Sequence, residues 1–267
     1  MKRAGKICMI MFLILVMTGG YVRAAGPEAD GVFTNVNSSV ELIIDTPLGK
    51  LGADAAVYCS GADAAIVVSR HLKEELGAGV LDMEKLSASF DNSEKYVTVD
   101  ISADLVFDIF EESFSHIVLN TDNTKINVQE SAYDGYLSFS GLTVSCEPGQ
   151  PAFSRVGQIF VGDEELLRGS DQTVTVCLPE TLYDSIASKE SDDDSGQAVD
   201  DSGAALAEMV YTYACEKEFL EPDNLDRLAF IGITGDSMLE SNPLLSAVVI
   251  LIVMGICYFM KQRMNKG

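Results

Sequence analysis

Only two histidines, His71 and His116, stand among the 267 residues, against 41 aspartates and glutamates. A hydrolytic two-metal centre needs several convergent ligands at near-ideal geometry. No D-x-H or N-H-E run gathers such ligands around either histidine, so neither a metal site nor a cofactor is expected. Asp192, Asp193 and Asp194 are consecutive carboxylates in a Ser/Gly/Asp-rich stretch, which fits a solvated loop better than a cation cage. Nucleophile patterns are missing too. Ser140 sits in Phe139-Ser140-Gly141 rather than G-x-S-x-G, and there is no Walker A or dinucleotide fingerprint. Cys8 and Cys257 lie in apolar terminal runs, leaving Cys59, Cys146, Cys177 and Cys215. Outside the cell these four allow two disulfides in any of three connectivities; the alternative is four buried free thiols. Their wide spacing without C-x-x-C argues against zinc.

The ends of the chain set the compartment. Lys2, Arg3 and Lys6 precede an apolar run from Ile7 to Met17, and Val22-Arg23-Ala24 offers a cleavage site, so residues 1–24 are read as a signal peptide. Pro243 to Met260 carries no charge over 18 residues. As a helix that stretch spans about 27 Å, close to a hydrocarbon core. Tyr258 and Phe259 fall where an interfacial aromatic is favourable, and Lys261, Arg263 and Lys266 follow at once. These patterns predict a transmembrane helix over 243–260, a cytoplasmic tail over 261–267 and an extracytoplasmic N-terminal part: a single-pass protein of the cell membrane. Residues 26–242 hold all 41 acidic but only 11 of the 18 basic residues, so this part carries about −30. Such a surface repels nucleic acid, and it repels a nucleotide phosphate unless a local basic pocket compensates.

Between the ends, strands and helices mix without regular alternation, which predicts an α+β fold. Residues 25–44 read as a loose leader and 45–235 as one domain, followed by a tether over 236–242. Leu48, Leu51, Ala55 and Cys59 recur at helical spacing, and Ala64 to Val68 is β-prone. Val97, Val99 and Ile101 alternate on one strand face, after which Ser102 starts a helix with Leu105, Ile109 and Phe110 on one stripe. Further strands are expected over 136–146, 156–161, 173–178 and 228–233, and a helix over 204–219. Residues 184–203 read as an acidic flexible loop.

Several of these segments, in this order, resemble the C-terminal domain of the 5'-nucleotidase family, the group of UDP-sugar hydrolases and ecto-5'-nucleotidases. Asp45 to Phe90 is similar to that family's opening helix ending in Asp-Ala, its strand with an NGGGIR-like loop, and the short helix leading to LPFGN. Asp134 to Leu142 is similar to its GxFLQVSGL strand, Arg155 to Gly162 to its SRVxxVxVNG segment, and Asn224 to Gly232 to its closing PxxGRI. The resemblance implies a mixed sheet with helices, and a nucleoside or nucleotide ligand. It implies also that a metal-bearing catalytic domain should precede Asp45, where residues 25–44 are the only mature residues.

Set on this chain, the Asn position of NGGGIR holds Val68, its glycines become Ser69, Arg70 and His71, and its Arg position holds Lys73. Phe90 stands at the aromatic of LPFGN. Thr181 replaces the second aromatic that should sandwich a base, with Tyr183 close by, and GGDGF is absent. The resemblance therefore implies Phe90, Lys73, Arg70 and Tyr183 as ligand-binding candidates around one cleft. A hydroxyl cannot stack a base as an aromatic ring does. The sequence thus predicts a membrane-anchored, non-catalytic binding or scaffold module, with a protein partner as a further expectation. The alternative is a substrate-binding component of 5'-nucleotide hydrolysis that acts with a separate metallophosphatase domain.

Overall fold

The computed structural model describes residues 26–187, 198–217, 219–222 and 227–233. The expected signal peptide, tether, membrane span and tail lie outside them. Among the described residues no helix is long and apolar enough to cross a membrane. In chain order the elements are β1 (Glu28–Ala29), α1 (Pro47–Ser60), β2 (Ala64–Val68), β3 (Gly79–Val80), α2 (Met83–Ser89), β4 (Lys95–Ser102) and α3 (Ala103–Ser115). Then follow β5 (Leu137–Ser140), β6 (Leu142–Cys146), β7 (Val156–Val161), β8 (Glu164–Leu166), β9 (Thr173–Pro179) and α4 (Glu180–Ala187). The last are β10 (Ala198–Ala205), α5 (Leu206–Lys217), β11 (Phe219–Leu220) and β12 (Leu228–Phe230).

A five-stranded mixed sheet, ordered β10-β4-β9-β2-β5, forms the middle layer. Its side chains alternate between two cores. Ile66, Val68, Val97, Val99, Ile101, Val174 and Val176 face one side, with Phe107, Phe110 and Phe114 of α3. The second sheet, β12-β6-β7-β8, adds Val144, Ile159 and Leu228 to that core. Ala65, Val67, Tyr96 and Cys177 face the other side, under α1, α2 and α5. Because both faces are covered, β2 is buried along its whole length and reads as an unbroken apolar run.

Local chemistry fixes the ends of these elements. Thr46 caps α1 by accepting from the Gly49 N–H at 3.1 Å, Pro47 fills the first turn, and Gly61 closes the helix at φ 67°. A Cβ at Gly49 would run into Ser138, so glycine lets α1 lie directly on β5. Ser102 caps α3, accepting from the Leu105 N–H. Gly141 at φ 76° breaks the expected 136–146 strand in two. It lies so close to the Asp63 carbonyl that a side chain would collide there, and the chain passes at this point from the central sheet to the second one.

Three expectations need correction. The segment read as a loose leader is packed: β1 pairs with β3 and β11, Phe33 is buried, and the Phe33 N–H reaches the Leu76 carbonyl at 2.9 Å. The acidic loop is shorter than 184–203, since 184–187 complete α4 and 198–203 belong to β10 on the edge of β4. Main-chain pairing to an open strand edge asks little of the side chains, which is why an Asp/Ser/Gly-rich run takes that place. The four cysteines are free, but they are not all buried: Cys146 and Cys177 are, whereas Cys59 and Cys215 are exposed. Burial pushes the Cys177 thiol up to about 11.

Candidate functional site

Lys73 and Thr181 lie, with Phe90 beneath them, at the end of the central sheet where β2 and β9 finish and β4 begins. After Val68 the chain makes one tight 3-10 turn, Ser69–His71, held by the Ser69 and Arg70 N–H groups donating to the Tyr136 and Asp134 carbonyls at 2.8 Å. Leu72 then bridges to Phe90. The loop and the end of α2 are thus neighbours, as the resemblance implies.

The side chains of Phe90, Lys73 and His71 are committed to the protein itself. Phe90 is fully buried with Leu86, Leu206 and Tyr96, and its ring packs on Gly52 of α1. It has no face free to stack a base. Lys73 pairs with Asp91 at 3.1 Å, and the Ser93 N–H and Lys73 together hold the Asp91 carboxyl below the usual range. His71 is buried beside Glu94, with Nε2 at 3.8 Å from the carboxylate. Burial lowers the His71 pKa, and nearby Arg70 adds to this against the opposing pull of Glu94 and Asp91, so the ring is neutral at pH 7. Glu94 in turn accepts from both the N–H and the hydroxyl of Thr181, at 2.9 and 2.8 Å. Thr181 opens α4, which occupies the place where the resemblance implies a glycine-rich loop.

Arg70 and Tyr183 are not part of that cluster. Tyr183 is half-buried and packs on the core beneath α3, on the opposite side of the sheet from Phe90. Arg70 is exposed and lines a cleft of about 330 Å³. Val68, α3, α4 and the segment around Tyr133 form the rest of its walls. The structure therefore brings Lys73, His71 and Thr181 to one edge, sends Arg70 into a neighbouring cleft, and encloses Phe90 in a core. Asp91 and Glu94 are the residues that sequence reasoning missed. The signal for Asp91 was adjacency, since a carboxylate directly follows Phe90 where the family pattern has glycine; Glu94, four residues after Phe90, had none. Among the described residues no cluster of His, Cys, Asp and Glu is arranged to hold a metal ion.

Other motif residues form the frame. Arg227 pairs with Asp54 of α1 at 2.9 Å and donates to the Phe139 carbonyl, while the Ser140 hydroxyl donates to the same Asp54 at 2.6 Å. Arg155 donates from Nη1 to the Phe114, Ser115 and Ile117 carbonyls at the end of α3. Buried Glu111 accepts from the N–H groups of Arg155 and Val156. A cation at a helix C-terminus both satisfies orphan carbonyls and offsets the helix dipole.

The sequence matches the 5'-nucleotidase, C-terminal domain family over residues 25–178, and the chain belongs to that family. No curated protein matches it. Among solved structures it is similar to a 5'-nucleotidase precursor from Thermus thermophilus, at 17% identity and a TM-score of 0.63 over 86% of this chain and 43% of that one. It is similar also to the sulfate thiohydrolase SoxB from the same organism, at 13% identity and a TM-score of 0.60 over 78% and 35%. The NAD nucleotidase of Haemophilus influenzae aligns at 12% identity and a TM-score of 0.54, over 77% and 36%. At these identities the likeness is one of fold. The chain spans less than half the length of each of these structures.

Proposed function

We propose that this protein is a membrane-anchored, extracytoplasmic and non-catalytic binding module built on the 5'-nucleotidase C-terminal fold. One contrast carries the proposal. The motif residues that tie the fold together are paired within it: Arg227 with Asp54, and the Arg155 main-chain N–H with Glu111. Of the residues that would grip a nucleotide, Phe90 is enclosed in the core and Lys73 is paired with Asp91. A phosphate would have to displace a carboxylate from Lys73 before meeting it, in a chain of net charge −23. The test is phosphate release from AMP and from UDP-sugars by the purified chain, with Mn²⁺, Zn²⁺ or Co²⁺ added. The expected result is none. Metal-dependent release that Lys73→Ala abolishes would refute the proposal. For topology, protease added outside intact cells should reach the domain and spare the tail after Met260.

A second reading is a nucleotide-binding component that works with a metallophosphatase domain on another chain. It is favoured by the likeness of fold to a 5'-nucleotidase precursor and an NAD nucleotidase. It requires AMP binding by this chain alone, which the geometry around Lys73 disfavours.

A further inference from the structure

The cleft beside Arg70 is built from different material than the edge around Lys73. Its floor is apolar: Val68 and Leu137 from the central sheet, Leu105 and Ile109 from α3, and Leu182 from α4. Its rim is charged at two places. Arg70 stands at the end of β2, exposed and without an ion pair among the described residues. Asp108 and Glu112 stand on α3, one helical turn apart, so both overhang the same wall. Asp108 is tied to Arg168 at 3.1 Å, whereas Glu112 has the His116 ring at 3.9 Å. That ring lies flat on Tyr133, with centroids 3.7 Å apart, and Tyr133 is itself part of the cleft wall.

Ser113 also lines the cleft, but its Oγ is closed to solvent and is not offered to an occupant. A cavity of about 330 Å³ falls at the small end of ligand pockets, which pair apolar walls with a few placed polar groups.

We infer that this cleft binds a small zwitterion with an apolar body, such as an apolar amino acid or dipeptide. Arg70 takes the carboxylate, Glu112 with Asp108 takes the ammonium, and the apolar side chain lies on Leu105, Ile109 and Leu182. A nucleotide does not fit this pattern, because its phosphates would meet two carboxylates and one guanidinium. A simple amine would leave Arg70 unanswered close to its own positive charge. The inference deepens the proposed binding role and rests on it.

The experiment is calorimetry on the full chain in detergent micelles, with leucyl-leucine, its N-acetyl derivative, its C-terminal amide and AMP. Leucyl-leucine should bind, and blocking either end should weaken it at least tenfold. Arg70→Gln should erase the difference between acid and amide, and Glu112→Gln the difference between free and acetylated amine. Both residues are at the surface, so the variants should fold, and an unchanged unfolding midpoint checks that. Silence toward all four compounds overturns this inference and leaves the non-catalytic reading standing. Equal binding of the blocked and free dipeptides also overturns it. AMP binding without dipeptide binding overturns both.

Discussion

Replacing Arg155 by alanine should cost the domain about 3–5 kcal/mol, about the worth of the two charge-assisted hydrogen bonds that Nη1 of its half-buried guanidinium can make. The three carbonyls it serves lie at 2.6, 3.1 and 2.6 Å from a single nitrogen, Nη1. One nitrogen carries two hydrogens, so these bonds share donors and their worth is less than three times the roughly 1.5–3 kcal/mol of a charge-assisted bond. Glu111, 4% exposed, would keep both of its donors, which are the main-chain N–H groups of residue 155 and Val156. Natural domains are stable by only about 5–15 kcal/mol, so the variant sits near the edge of folding. With a urea slope of about 2 kcal/mol per molar, the midpoint should fall by about 1.5–2.5 M. Arg155→Lys should recover little, because a point charge on a flexible stem lacks the planar fork. Urea unfolding followed by circular dichroism reads all three proteins. A midpoint for Arg155→Ala within about 0.5 M of the parent would contradict the capping role, at that same slope.

Two other perturbations probe the core. Phe90→Ala should destabilise by about 3–5 kcal/mol, as a cavity in a closed core does, and a loss below about 1 kcal/mol would mean the ring is not packed as described. Asp45 is buried next to Lys50 at 3.3 Å, and burial raises its carboxyl from 3.8 to about 6. A raised carboxyl binds its proton more tightly in the folded state, so its contribution is full below about pH 4 and is lost as pH climbs through about 6. That difference corresponds to about 3 kcal/mol. Asparagine also tolerates the left-handed backbone at φ 45°, so Asp45→Asn isolates the ionisation. The gap in stability between parent and Asp45→Asn should change by up to about 3 kcal/mol from pH 4 to pH 7, and a constant gap would contradict the assignment.

What was legible in the sequence follows from local pattern. Val97, Val99 and Ile101 alternate, and β4 forms there with those side chains on one face. Ser102 carries a capping signature, and α3 starts at the next residue. Elements set by distant partners were hidden. Phe33 is a lone aromatic in a polar stretch, and only its bridge to Leu76 gives it a place in the core. Strand β10 has no alternation to read, since it forms by main-chain pairing with β4. The site was legible as positions and not as directions. Motif order brought the loop after β2 next to Phe90, but which way that ring turns depends on Gly52 of α1 and Leu206 of α5, both distant in the chain. Likewise Arg70 and Lys73 lie three positions apart, yet one faces a cleft and the other a carboxylate.

The central claim is that Phe90 and Lys73, two positions where the family resemblance implies ligand contacts, serve the protein's own structure here. Calorimetric titration of the chain with AMP tests it most directly. A single stacked face contributes about 1–3 kcal/mol, well short of the roughly −8 kcal/mol that micromolar affinity needs, and here even that face is buried. The expected result is no heat of binding at micromolar concentrations. Micromolar AMP binding that weakens in Lys73→Ala would contradict it.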